Sequence, residues 1–474
     1  MIGKLTEGNI TRALIKFSIP MILGNLLQQL YNVADTFIVG HYIGTDALAA
    51  VGSSFTIMTF LTSIILGLCM GSGILFSMFY GAKQLDKMKT SFFVSFVGIG
   101  IFSIGLEIVC LLAIDLILNF MNIPRDIFTD THQYLFIIFL GLVFTFIYNY
   151  FSSLLRALGN SKIPLIFLAL ASIINIGLDI YLVAEVAMGV AGAAVATLIA
   201  QAFSAIGIML YVFLSQKELL PQRKHWHFER EIFEKIKAYS LLTCIQQSVM
   251  NFGILMIQGL VNSFGLVTMS AFAAAVKIDS FAYMPVQDFG NAFSTYIAQN
   301  KGAGLEERIH KGFKVAVVMA FSTYIAQNKG AGLEERIHKG FKVAVVMASI
   351  FCIFISALVF IFADKLMLIF IESSKSEIIY QGAQYLRIEG ACYLGIGCLF
   401  LLYGYYRGVG KPGISVVLTV ISLGTRVVLA YLLAPLFGTL AIWWAIPIGW
   451  FLADLIGIMY GLKKERWTNR YIDK

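Results

Sequence analysis

The sequence predicts an all-α polytopic membrane protein with twelve transmembrane helices in two pseudo-symmetric six-helix bundles, and three observations carry that expectation. Of its 474 residues, 59% are hydrophobic and only 13% charged, with a mean hydropathy of +0.82. No soluble domain of this size hides such a balance behind a closed surface. Apolar runs of about 20 residues recur from Ala13 to Gly461, each long enough to cross about 30 Å of hydrocarbon as a helix. They lack the dyad alternation of a β-barrel. Short strings also recur at a fixed offset, as expected of two related halves.

The twelve predicted spans lie near 13–39, 47–79, 91–119, 130–154, 164–186, 191–214, 238–263, 267–298, 342–363, 377–405, 414–433 and 439–461. The first follows Met1-Ile2-Gly3-Lys4 and carries Pro20, Asn25, Gln28 and Asp35 with no small-residue cleavage site, so it reads as a retained span. Of the 35 Lys and Arg, 29 fall on one side of these spans, in the N-terminus, the loops at 83–89, 156–162, 217–237, 301–342 and 407–411, and the tail. The opposite side holds Arg125, Lys365 and Lys375, and the spans themselves hold Lys277, Arg387 and Arg426, with Lys16 and Lys342, at the ends of their spans, counted with the first side. The positive-inside rule then makes both termini cytoplasmic, in the plasma (inner) membrane. The formal charge of +8 thus reports topology and gives no reason to expect a nucleic-acid partner. The expected organisation is an N-lobe over 1–214, a cytoplasmic linker over 215–237, a C-lobe over 238–461 and a cytoplasmic tail over 462–474.

All six cysteines lie in apolar segments without CxxC spacing and read as small hydrophobes. His225-Trp226-His227 sits in the polar linker with no Cys or further His nearby, so no metal site is expected.

The repeat is visible in short strings. Ile43-Gly44 followed by Ala-Leu-Ala-Ala resembles Phe264-Gly265 followed by Ala-Phe-Ala-Ala, and the loop from Tyr80 resembles that from Lys301, both at an offset of about 221. Later, Arg156-Ala-Leu-Gly159 resembles Arg407-Gly-Val-Gly410 at about 251. The jump has a visible source, since Phe293 to Ala320 recurs letter for letter as Phe321 to Ala348. Diverged functional repeats do not stay identical, so this 28-residue tandem copy reads as a recent duplication. Its added apolar stretch, Phe313 to Gln327, is too short for a comfortable crossing and would invert every later span. It is therefore expected not to cross.

Ionisable groups inside a membrane are costly and mark candidate functional positions. In span 1, Ser18, Asn25, Gln28, Asn32 and Asp35 step by seven, three, four and three, which places them on one helix face. Pro20 interrupts the hydrogen-bond ladder of the same helix and favours a bend. In span 5, Asn175 and Asp179 are four apart and share a face. In span 6, Thr197 follows a small-residue run, Gly189 to Ala196, that allows close helix approach. If these spans meet, Asp35, Asn175, Asp179 and Thr197 offer hard oxygen ligands, and two close acids could load and unload a proton. The C-terminal half instead offers Gln246, Gln247 and Asn251 in span 7, Lys277 and Asp279 in span 8, Arg387 and Glu389 in span 10, and Arg426 opposite Asn175 by the repeat. The two halves are thus expected to share a shape but not a cation site. Each of the two-apart charged pairs needs a partner from another helix. Glu107 lies deep in span 3 with no evident role.

In this order, Tyr31-Asn-Val-Ala-Asp35-Thr-Phe-Ile-Val-Gly40, the Gly-Ala loops at 81–82 and 302–303, Arg156-Ala-Leu-Gly159, Asn175-Ile-Gly-Leu-Asp179, Gly189 to Thr197, Arg407-Gly-Val-Gly410 and Trp443-Trp-Ala-Ile-Pro447 resemble the multidrug and toxic compound extrusion family. That resemblance implies twelve helices in two six-helix lobes and export of organic cations against inward sodium or protons. It implies that Asp35, Asn175, Asp179 and Thr197 form an N-lobe cation site and that Pro20 is the proline linked to helix bending. Some members place acids in spans 7 and 10, whereas span 7 here has only Gln246 and Gln247.

The expected function is a Na+- or H+-coupled multidrug antiporter, not an enzyme, acting on small drug-like molecules as a monomer among membrane lipids. It has no cofactor beyond the coupling ion. The substrate cavity is expected to draw on Asn25, Gln28, Asn32, Gln246, Gln247, Lys277, Asp279, Arg387 and Arg426. The rival reading is a flippase for an anionic lipid-linked saccharide, with Lys277, Arg387 and Arg426 meeting the phosphates.

Overall fold

The computed structural model describes residues 5–6, 10–120, 123, 125–305, 356–369, 371 and 373–472, and all regular structure among them is helical. In chain order the elements are α1 (Ile10–Tyr42), α2 (Thr45–Gly81), α3 (Leu85–Leu112), α4 (Ile114–Phe120), α5 (Arg125–Phe139), α6 (Leu142–Ala157), α7 (Lys162–Asp179) and α8 (Gly189–Ser215). After a linker come α9 (Arg230–Asn262), α10 (Leu266–Gly302), α11 (356–367), α12 (Ser376–Ala391), α13 (Tyr393–Gly408), α14 (Pro412–Phe437) and α15 (Thr439–Ile472). Eight of these helices are long and apolar enough to cross a membrane alone, and two bent pairs raise the count to ten. Helix α10 coincides with predicted span 8, and the described α11 overlaps the end of predicted span 9, which keeps the total in line with twelve. The short stretch at 313–327 lies outside the described residues.

Two predicted spans are not single rods. Span 4 is broken between α5 and α6 with a 44° bend, and span 10 between α12 and α13 with a 55° bend. At the first break, Gly141 has no side chain, and a Cβ there would meet Gln201 Oε1 at 2.6 Å. The amide of Val143, in the first turn of α6, donates to Glu107 Oε2 at 3.0 Å. Glu107, which the sequence left without a role, therefore caps a helix that restarts inside the membrane. Such a start would otherwise leave amides unpaired where water is scarce. At the second break the amide of Cys392 turns back to Glu389 O at 2.8 Å.

The described residues divide into two packed units. One holds Lys16–Ser248, and the other holds Leu5–Ile15 with the described part of Val249–Lys474. The boundary thus falls inside α9 and not in the linker, because the first half of α9 packs tightly on α2. Gly67 and Gly71 bring the α2 backbone against Cys244 and Ser240, and Ser72 Oγ bonds Ser240 Oγ at 3.0 Å. Membrane helices gain little from apolar contact that lipid does not also supply, so small residues that permit close approach set the packing. An aromatic nest fills the rest of this unit: Tyr150 packs edge-on against Phe76, Phe92 and Phe96. Its hydroxyl donates to Phe92 O at 2.7 Å, also lying 2.7 Å from Ser95 Oγ. Within the second unit Gly290 meets Gly404, and Gly449 meets Ser422, backbone to backbone. Trp443 is fully buried there, stacked on Phe272 at 5.5 Å and edge-on to Tyr385 at 5.1 Å.

Candidate ion site and family

The four oxygen-bearing residues predicted from spans 1, 5 and 6 come together in the first unit. Asp35 on α1 is 9% exposed, Asn175 on α7 2% and Asp179, the last α-helical residue of α7, 0%. Asn175 Nδ2 donates to Thr197 Oγ1 on α8 at 3.3 Å, which ties α7 to α8. The carboxyls of Asp35 and Asp179 lie directly beside each other. Tyr31 and Tyr134 flank both. Asp35 Oδ1, both Asp179 oxygens and Asn175 Oδ1 accept no hydrogen bond from protein donors among the described residues. The surroundings are apolar, with Ile38, Val39, Ala47, Val190, Ala193 and Ala194 buried around them.

Two unit negative charges about 4 Å apart repel by about 4 kcal/mol even at an effective dielectric constant of 20. No lysine or arginine adjoins the pair among the described residues. Such a pair is neutralised by a shared proton or by a small cation, and the extra oxygens of Asn175 and Thr197 suit either. The backbone after Asp179 is also irregular. Ile180–Glu185 winds as a π-helix, a form that gathers at functional sites. Nothing in the composition of that stretch announces it.

The remaining predicted residues scatter. Pro20 is buried in an α1 that runs helical from Ile10 to Tyr42, so secondary structure continues through the proline. Asn25 and Asn32 are half-buried and Gln28 is exposed, whereas Gln246 and Gln247 are buried in α9. In the second unit, Lys277 is exposed. Arg387 is held by Asp364 Oδ2 and Phe360 O. Arg426 is half-buried and lies beside two acids, Asp279 and Glu389.

The second unit holds an acid pair of its own. Asp279 (5% exposed) on α10 and Glu389 (1%) on α12 adjoin each other, with Tyr385 and Tyr393 at their edges. Each lies two residues after a base and, as that spacing predicts, meets a partner from another helix. Helix geometry turns the base and the acid apart, so the acids find each other and Arg426 instead. The four tyrosines beside the two acid pairs carry no site signal in the sequence, because a tyrosine in an apolar helix looks like packing. Two of the three bases needed by a phosphate-binding reading, Arg387 and Arg426, already face carboxylates.

Buried acids from several helices, apolar spans and broken helices in two packed units define a multi-pass membrane transporter. The chain belongs to the MatE family, which matches residues 20–181, 240–322 and 312–432. The last two matches overlap inside the exact duplication. Among curated relatives, the probable multidrug resistance protein YpnP of Bacillus subtilis is 32% identical over 310 residues, covering 64% of this chain and 68% of YpnP. The probable multidrug resistance protein NorM of Thermotoga maritima is 26% identical over 449 residues, covering 92% and 88% respectively. A crystal structure of a MATE transporter in complex with MaL6 superposes with a TM-score of 0.84 at 21% identity, covering 98% of this chain and 99% of that one.

Proposed function

We propose that the protein exports amphipathic, often cationic compounds in exchange for inward Na+ or H+, by alternating access of its two lobes in the plasma membrane with both termini cytoplasmic. The observation that carries this reading is the buried Asp35–Asp179 pair, which has no basic partner among the described residues and has Asn175 and Thr197 within its shell. A group that must take up and release one positive charge per cycle needs this arrangement, because a permanent counter-ion would hold it in one state. The relatives named as multidrug resistance proteins support the substrate class. The acid pair at Asp279 and Glu389 differs in having Arg426 as a built-in counter-charge, so the first unit is the better candidate for coupling.

The test is efflux of a fluorescent cation from proteoliposomes under a sodium gradient or a proton gradient imposed separately. Asp35→Asn and Asp179→Asn are each expected to abolish gradient-driven efflux while leaving protein yield and thermal stability intact. Unchanged efflux in both variants removes the coupling role.

A further inference from the structure

The linker between the two halves presents a surface that the transport reading does not use. His225 is only 2% exposed, although the residues around it are open to solvent. Its Nδ1 accepts the amide of Gln222 at 3.0 Å, so Nε2 carries the proton and donates to Asp86 Oδ1 at 2.8 Å. Lys224 Nζ donates to the same oxygen at 2.9 Å. The linker is thereby pinned to the first turn of α3. Next to this joint, Trp226 stacks flat on Phe93, with centroids 5.9 Å apart and planes 8° apart, yet remains 59% exposed. Phe228, 66% exposed, packs on Phe233 at the start of α9.

The position of Phe93 tells what faces Trp226. Val97, Ile101, Ile104 and Ile108 follow it at steps of four, four, three and four, and all four are exposed, from 41% to 68%. This stripe is one face of α3 turned to the lipid. Trp226 therefore covers the linker-side end of this apolar stripe, two turns into the helix from Leu85. Lys217, Arg223 and Arg230 are exposed around the two aromatic rings, with Glu218 and Glu229 as the nearby acids. Lys224, Lys235 and Lys237 are already paired with carboxylates.

We propose that the 216–230 linker is an interfacial anchor, with Trp226 and Phe228 seated among the headgroups of the leaflet and Lys217, Arg223 and Arg230 bound to anionic lipid phosphates. The His225–Asp86 bond sets the anchor's depth. The inference concerns lipid and is independent of which ion or drug is transported.

The experiment compares the intact protein with Trp226→Phe in nanodiscs, so that the difference in emission reports Trp226. Lipids brominated near the headgroup end of the acyl chain are expected to remove most of that difference emission, and aqueous iodide little of it. Replacing phosphatidylcholine by a mixture with phosphatidylglycerol is expected to lower the iodide effect further, and charge reversal at Lys217, Arg223 and Arg230 to cancel that gain. Asp86→Ala is expected to shift quenching from bromolipid toward iodide. Strong iodide quenching without bromolipid quenching in the intact protein overturns the anchor, and an identical profile in neutral and anionic lipid overturns its lipid-phosphate contacts.

Discussion

The seam between α2 and α9 can be tested with one methyl group. A Cβ on Gly71 would stand 2.6 Å from both Ser240 N and Tyr239 O, against main-chain atoms that no side-chain rotation can move aside. Ordinary contacts need about 3.5–4.0 Å, so Gly71→Ala must open the seam by about 1 Å. A gap of that size forfeits up to about half of each contact of about 0.1–0.2 kcal/mol, and overpacking adds strain of about 1–3 kcal/mol. The 3.0 Å bond between Ser72 and Ser240, about 1 kcal/mol, stretches as well. The expected total is a loss of about 2–4 kcal/mol. Gly98→Ala on α3 is the control, since its Cβ meets nothing within 4 Å and should be neutral or stabilising by about 0.5–1 kcal/mol. The assay is the midpoint of thermal aggregation in detergent, followed by size-exclusion fluorescence. Equal midpoints for the two variants would refute the close approach of the two backbones.

Three further outcomes are expected. Glu107→Ala strips the cap from Val143 and should cost about 1–3 kcal/mol by the same midpoint assay, while Glu107→Gln, which keeps an acceptor, should cost less. Arg426→Met removes a positive charge from beside Asp279 and Glu389 and should destabilise the protein, and adding Glu389→Gln should recover part of that loss in a double-mutant cycle; simple additivity would show that the three groups do not interact. Deleting residues 321–348 removes one of two identical copies, and the 446-residue product is expected to be at least as abundant and monodisperse on size-exclusion chromatography as the full chain; collapse of the yield would show that the second copy is integral to the fold.

What the sequence revealed follows from the distance over which each signal acts. Spans are local, and hydropathy finds them; α10 holds Lys277, Asp279 and Asp288 and still fell where a span was expected, because the repeat required one. Asp35, Asn175, Asp179 and Thr197 were legible because each sits in a local pattern of its own, a polar stripe, an i,i+4 pair or a small-residue run. The Asp279–Glu389 pair was not, since its partners lie 110 positions apart and no local pattern names the helix that each must meet. The break at Gly141 was likewise hidden, because what satisfies the freed backbone is Glu107, on another helix. His225 was weighed only as a metal ligand and set aside, whereas its partner is a carboxylate 139 positions away.

The π-helical stretch at Ile180–Glu185 carries a mechanical consequence. Its amides reach one residue further back than those of an α-helix, so this last part of the helix holds more residues per turn than the α-helical ladder before it. A one-residue deletion within 180–185 can be absorbed by a return to α-helical spacing, which leaves Asn175 and Asp179 on their original face. Asp179 thus stands where a regular α-helical ladder gives way to a wider helical end that can take up a change of register.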